Sequence, residues 1–231
     1  METITNLQEL LKLTKKSEIK SYSEYFNEIA NLLMNQFVIA KGETKYEIIE
    51  TEFYLFAPDH QDIITYPRKL SAGQWFFHQS GVDLTFESSD KQFGGILIRG
   101  IKPLGPKNEG DYHPELILGP QKCVYELWDT FNAFKTEPTE YPIIKEDLSI
   151  PKDDCIESCK RWINVSEEKK AYKISDWSKR IIESKGTISV NEKDRHDIVF
   201  NSKYRFVKMK SIDQSSEEWK KYSSKPKFDK S

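Results

Sequence analysis

The stretch YEIIETEFYLF, residues 46–56, constrains this chain more than any other, because it reads as a buried strand interrupted by acids. Strand alternation sets Tyr46, Ile48, Glu50, Glu52, Tyr54 and Phe56 on one side, with Glu47, Ile49, Thr51, Phe53 and Leu55 on the other. Glu50 and Glu52 then share an aromatic face with Cα atoms about 6.5–7 Å apart. A carboxylate buried there needs a cation, hydrogen-bond donors, solvent in a cleft, or a proton. Arg99, the lone charge in GGILIRGI, is the best local source of compensation, aligned by alternation with Leu97 and Ile101. Two readings follow from such a pairing. One is a structural ion pair inside a small core. The other is an arginine that holds a carboxylate ionised at a pocket floor, where it aligns or deprotonates a water.

The surrounding pattern is that of an α+β fold. Residues 3–14 suggest a short amphipathic helix with Ile4, Leu7, Leu10 and Leu11 on one side. Ser21 and Glu24 form a capping box, followed at helical spacing by Tyr22, Tyr25, Phe26, Ile29, Leu32, Leu33 and Phe37. FVIA (37–40), a turn around KGETK and the acidic strand read as a hairpin. QWFFHQ (74–79), GVDLTFE (81–87) and GGILIRGIKPL (94–104) are further strands, and Gly94 and Gly95 read as the turn before the last of them. Pro120 opens a helix over QKCVYELWDTFNAF. Residues 135–152 read as a surface connection, and KRWINV, ISDWSKRIIESK, HDIVF and KYRFVKMK as short elements. The expected architecture is one domain with a central antiparallel or mixed curved sheet and flanking helices. A helical extension covers 1–24, the domain proper 25–210, and a polar, Lys-rich, loosely packed tail 211–231.

Composition narrows the function classes. With 35 Lys and Arg against 37 Asp and Glu, no global positive field draws the protein to polyphosphate, so nucleic-acid binding requires a local patch. KYRFVKMK and the KKYSSKPKFDK tail could supply one through Lys208 and Lys210, although a solvated basic tail explains them too. No run approaches a bilayer-spanning helix, and the N-terminus lacks a basic start with a continuous apolar stretch, so the expected place is the cytoplasm, off the membrane. Three cysteines suit a reducing compartment. Cys155 and Cys159 could share a helical face, yet with Cys123 alone besides and His60, His78, His113 and His196 dispersed, half-buried thiols are expected rather than a zinc site. His78 reads as a strand residue facing solvent, and Trp75, Trp128, Trp162 and Trp177 as packing.

The order of motifs resembles the alkyladenine (3-methyladenine) DNA glycosylase family. IANLLMNQFVIAKGETKYEIIETEFYLF (29–56) is similar to that family's helix, hairpin and ETEAY strand. YPR (66–68), the aromatic strand before Gly81, ILIRGIKPL (96–104), GPQK (119–122) and YRFVK (204–208) follow in the family's order, over about residues 25–210. The resemblance implies the methylpurine-DNA glycosylase fold. It also implies a monomeric protein without cofactor or metal, acting on DNA or another nucleobase-containing substrate. Glu52 would orient the hydrolytic water, Arg99 would help fix it, and Tyr54 would stack on a flipped base. His60 would correspond to a pocket histidine, although it follows Tyr54 by six residues where the family has nine, and Phe77 to the aromatic opposite. Ser80 stands where the family has a wedging tyrosine, so flipping from duplex DNA loses its plug. Glu87 stands where the family has a base-screening asparagine.

Three readings therefore remain open: a divergent glycosylase for a damaged or modified purine, a non-catalytic nucleobase or nucleic-acid binding module, and an unrelated hydrolase using Glu50 and Glu52 as acid and base.

Overall fold

The computed structural model describes residues 2–13, 21–105, 115–129, 141–161, 163 and 192–223. It is an α+β domain whose antiparallel sheet curls around one main core. Helix α1 (Glu2–Leu11) and helix α2 (Tyr22–Gln36) precede strands β1 (Phe37–Lys41), β2 (Thr44–Ala57), β3 (His60–Gln61), β4 (Trp75–His78), β5 (Gly81–Thr85), β6 (Phe93–Leu104) and β7 (Ile117–Leu118). Helix α3 (Pro120–Leu127), strands β8 (Ile143–Glu146) and β9 (Glu157–Cys159), helix α4 (Glu192–His196), strand β10 (Arg205–Val207) and helix α5 (Glu217–Ser223) follow. The helix expected over 174–185 and Trp162 and Trp177 lie outside the described residues. No helix among the described residues is long and apolar enough to cross a membrane.

The sheet runs β4-β5-β6-β2-β1-β8, with β10 added to β2 and β9 to β10. Ser21 caps α2 by accepting the Glu24 N–H, and the buried stripe Tyr25, Phe26, Ile29, Ala30, Leu33 and Met34 lies on the sheet. Phe26 is the hinge of this contact, its ring 5.0 Å from Phe53 and 4.9 Å from Tyr204. Each such fully buried side chain stabilises the fold by roughly 1.5–3 kcal/mol. Leu7, Leu10 and Leu11 of α1 join the same core, so the first helix is packed into the domain.

Four local expectations need correction. Residues 143–146, read as surface connection, form β8 and pair with β1 from Phe37 to Ala40. Cys159 belongs to a strand rather than a helical face. Gly94 and Gly95 are strand residues of β6, paired with Leu55 and Tyr54, and glycine is needed at 94 since a Cβ there would lie 2.2 Å from the Tyr54 carbonyl oxygen. Residues 217–223 are not loosely packed: Trp219 and Tyr222 of α5 are 5% exposed and close a second apolar cluster with Ile49, Leu118 and Val207.

Lys208 is likewise internal. Its ammonium donates to the Met34 carbonyl oxygen at 2.8 Å and pairs with Glu47 at 2.7 Å, tying the end of β10 to α2 and β2. It cannot face a phosphate, whereas the Lys210 side chain is 58% exposed. Lys208→Met strands a buried Glu47 carboxylate and should lower the unfolding free energy by about 3–5 kcal/mol in urea titration. A change under about 0.5 kcal/mol would mark it as a surface charge instead.

Candidate functional site

The candidate site is created by a fault in the strand pairing. Ile48 pairs with Ile101, Glu50 with Gly100 and Thr51 with Ile98, so β2 gains one residue at Ile49 and β6 gains one at Arg99. Each bulge flips the alternation of its strand. Tyr46 and Ile48 face the α2 core, and so do Phe53 and Leu55 beyond the bulge. Ile49 passes to the second cluster, and Glu50, Glu52 and Tyr54 lie on its side of the sheet. The simple alternation that joined Tyr46 and Ile48 to the two acids therefore does not hold.

On that face Arg99 bridges both carboxylates, with Nε donating to Glu50 Oε1 at 3.0 Å and Nη1 to Glu52 Oε2 at 3.1 Å. Arg205, opposite Glu52 in the β10–β2 register, brings Nη2 within 2.7 Å of Glu50 Oε1. The Tyr222 hydroxyl donates to the same Glu50 oxygen at 3.0 Å. Glu50 and Glu52 are fully buried. Burial works against the charge of Arg99, but the Glu52 and Glu50 carboxylates outweigh it and hold its pKa well above the usual arginine value. Tyr54 donates its hydroxyl to Glu52 Oε2 at 2.7 Å. Burial first, and the Glu52 charge second, push its pKa well up, so it is a donor. The Arg161 guanidinium, paired with Asp62, lies 4.7 Å from the Tyr54 ring centre and steadies it.

Arg99 and Tyr54 form part of the wall of a cavity of about 400 Å³, shared with Ile64, Tyr66, Arg68, His78, Ser80, Asp83, Leu97, Pro120 and Ile163. That volume lies within the usual range for small-molecule sites. Glu52 is one layer back, behind the Tyr54 hydroxyl and Arg99. A larger hollow of about 620 Å³ near α1 and β8 is lined by no charged side chain among the described residues.

Of the residues expected at the site, the structure brings together Glu52, Arg99, Tyr54 and Ser80. The others lie apart. Phe77 pairs with Val82 on the opposite face of β4, half exposed against Trp128 at 4.9 Å, whereas Phe76 pairs with Asp83 and shares its face with His78. Glu87 accepts the Ala72 N–H at 2.7 Å beside another surface hollow. His60 is in the α2 core, its Nδ1 2.7 Å from the Leu55 carbonyl oxygen and its Nε2 3.0 Å from the Tyr204 hydroxyl, with Tyr22 4.2 Å away. His78, expected to face solvent, instead has a side chain 7% exposed and 2.9 Å from Asp83. Sequence reading missed Arg205, Tyr222, Arg161, Tyr66, Arg68 and Asp83. Asp83, alone in the apolar alternation of GVDLTF, carried the same signal that marked Arg99.

These features define an α+β protein with a buried two-carboxylate, two-guanidinium cluster behind an aromatic-walled cavity. No family model and no solved structure matches the chain. An uncharacterized protein of Acanthamoeba polyphaga mimivirus is 24% identical over 153 residues, which covers 55% of this chain and 68% of that relative. The similarity brings no activity with it.

His60 gives the fold a pH dependence separate from the cavity. Burial lowers its pKa below the ordinary 6.5. In the window below 6.5 the unfolded chain takes up a proton that the native imidazole does not, so stability is lost as pH falls. Urea unfolding at pH 7.5 and 5.5 should show this loss, and His60→Gln should make it shallower.

Proposed function

We propose that the cavity binds a nucleobase and that the protein hydrolyses the N-glycosidic bond of a damaged or modified purine, using a water activated by Glu52. The supporting observation is that Arg99 holds Glu52 while itself lining the cavity, with the Tyr54 hydroxyl bonded to the same carboxylate. When the bond from C1′ to the base nitrogen breaks, its electron pair leaves with the base and positive charge grows on the sugar. A fixed carboxylate close behind the wall stabilises that charge. Water then bonds to C1′, passing a proton to the Tyr54 oxygen as Tyr54 passes its own to Glu52. Tyr54 also offers a ring face for stacking, and Tyr66, with its ring 4.5 Å from that of His78, takes the part expected of Phe77. Ser80, 3.4 Å from the Tyr66 hydroxyl, supplies no wedge, which favours single strands or a smaller nucleobase substrate over duplex DNA.

The non-catalytic binding module is the second reading, and the placement of Glu52 behind Tyr54 and Arg99 favours it. The acid–base pair of Glu50 and Glu52 loses ground, because Arg99, Arg205 and Tyr222 all converge on Glu50 away from the cavity.

Purified protein incubated with alkylated single- and double-stranded oligonucleotides should leave alkali-labile abasic sites, mainly in the single strand. Glu52→Gln should abolish them, and Tyr54→Phe should slow their formation by about 10²–10⁴-fold. Binding without base release, unchanged by Glu52→Gln, would sink the hydrolase and leave the module.

A further inference from the structure

The β4–β5 hairpin gives the cavity three of its lining side chains, His78, Ser80 and Asp83. His78 Nε2 lies 2.9 Å from Asp83 Oδ1, while Arg68 Nη1 donates to the other carboxylate oxygen, Oδ2, at 2.6 Å. On its far side the imidazole meets the hairpin turn, where the Ser80 N–H donates to His78 Nδ1 at 3.2 Å. A ring nitrogen that accepts carries no proton, so the neutral imidazole keeps its proton on Nε2, directed at Asp83.

An added proton therefore has one place to go, Nδ1. Both ring nitrogens then donate, and the Ser80 N–H faces another donor. The turn has to adjust, and its neighbours confine the adjustment to Ser80. The Gln79 carbonyl oxygen is bonded to the Gln121 side-chain amide of α3, and Gly81 is packed so closely on Pro120 that a Cβ would come 2.8 Å from the Pro120 Cβ. Ser80 also carries the replacement acceptor. Its hydroxyl is engaged only by a long contact, 3.4 Å to the Tyr66 hydroxyl, and a hydroxyl oxygen has lone pairs to give.

The groups around the imidazole pull in both directions. Asp83 on β5 attracts a cation, and the Tyr66 ring, centred 4.5 Å away, offers it a face. Arg68 opposes it from the segment before β4, and so does Arg99 from β6, although Asp83, Glu50 and Glu52 match those guanidinium charges. Tyr54 shares the cavity from β2, and Pro120 of α3 brings no charge. Neither state of the ring is left without partners, which is what a two-state element needs.

We infer that Ser80 is a two-way partner of His78 and makes a proton-operated switch in the cavity wall. Its N–H serves the neutral imidazole, and its hydroxyl oxygen accepts from Nδ1 once the ring is protonated. The cavity thus offers the Ser80 hydroxyl to a ligand only while His78 is neutral. The switch does not depend on what the cavity binds.

NMR of the full-length protein, following the His78 ring nitrogens and the Ser80 amide from pH 8 to 5, tests it. At pH 8 the ring proton should be on Nε2. As His78 titrates, the Ser80 amide signal should move with the same midpoint, and its protection against hydrogen exchange should fall about fivefold, the worth of one neutral hydrogen bond. Ser80→Ala keeps the N–H and loses the oxygen, so it should lower the His78 midpoint by about one pH unit. His78→Gln should leave the Ser80 amide signal flat across the range. A neutral ring protonated on Nδ1, an imidazole that does not titrate in this range, a Ser80 amide that ignores the titration, or an unchanged midpoint in Ser80→Ala would each overturn the switch.

Discussion

One guanidinium bridging two carboxylates inside a β-sheet is the interaction on which the rest of this structure depends. Removing an ion from water into a protein interior costs several kcal/mol, and removing one partner of a buried pair costs about 3–5 kcal/mol. Arg99 meets both Glu50 and Glu52 only because each strand carries an extra residue at the same level. Ile48 faces Ile101 and Thr51 faces Ile98, so three steps along β2 match three along β6 and the ladder resumes without a net slip. The local kink turns polar side chains to one face while leaving the apolar face continuous under α2. Arg205 and Tyr222 complete the cluster, which makes β10 and α5 necessary parts of the domain rather than an appended tail.

Much of the fold was legible in the sequence because its elements are locally consistent. The cap at Ser21, the stripe from Tyr25 to Met34 and the long apolar run of β6 each carry their own periodicity. What alternation could not show was a bulge, since an extra residue at Ile49 leaves no mark on the pattern of residue types and yet reverses every face beyond it. Pairing of Glu52 with Arg99 was legible nonetheless, because two misfit charges on otherwise apolar strands have few partners to choose from. Phe77 and Glu87 were misplaced for a different reason. Both were assigned by correspondence to a family pattern, and the β4–β5 register puts Phe76 and His78, not Phe77, on the face of Asp83. Arg205, Arg161 and Tyr222 were beyond reach, as they arrive from distant segments whose placement depends on the finished tertiary fold.

The two carboxylates behind the cavity differ in what holds them and in how near the cavity they lie. Glu50, held by Arg99, Arg205 and Tyr222, belongs to the interior and serves chiefly to orient the arginines. Glu52, held by Arg99 and Tyr54, adjoins the cavity through groups that themselves line it. Tyr54 is therefore the gate between them. As a phenol whose pKa burial and the Glu52 charge push well up, it keeps its proton and stands between the carboxylate and the cavity.

That arrangement also limits what kind of ligand the protein can take. A cavity whose arginines are already matched by carboxylates exerts little pull on an anion at a distance, so any selection there depends on contact with the lining side chains, Tyr54 and Tyr66 among them. Contacts of this kind operate over a few ångströms and are insensitive to salt, unlike the phosphate attraction that dominates most nucleic-acid binding. Under the proposed function, with a near-neutral chain and Lys208 committed to the interior, recognition of the base itself would have to carry the affinity, and a base already out of its stack is the form that leaves most of that affinity unspent on unstacking.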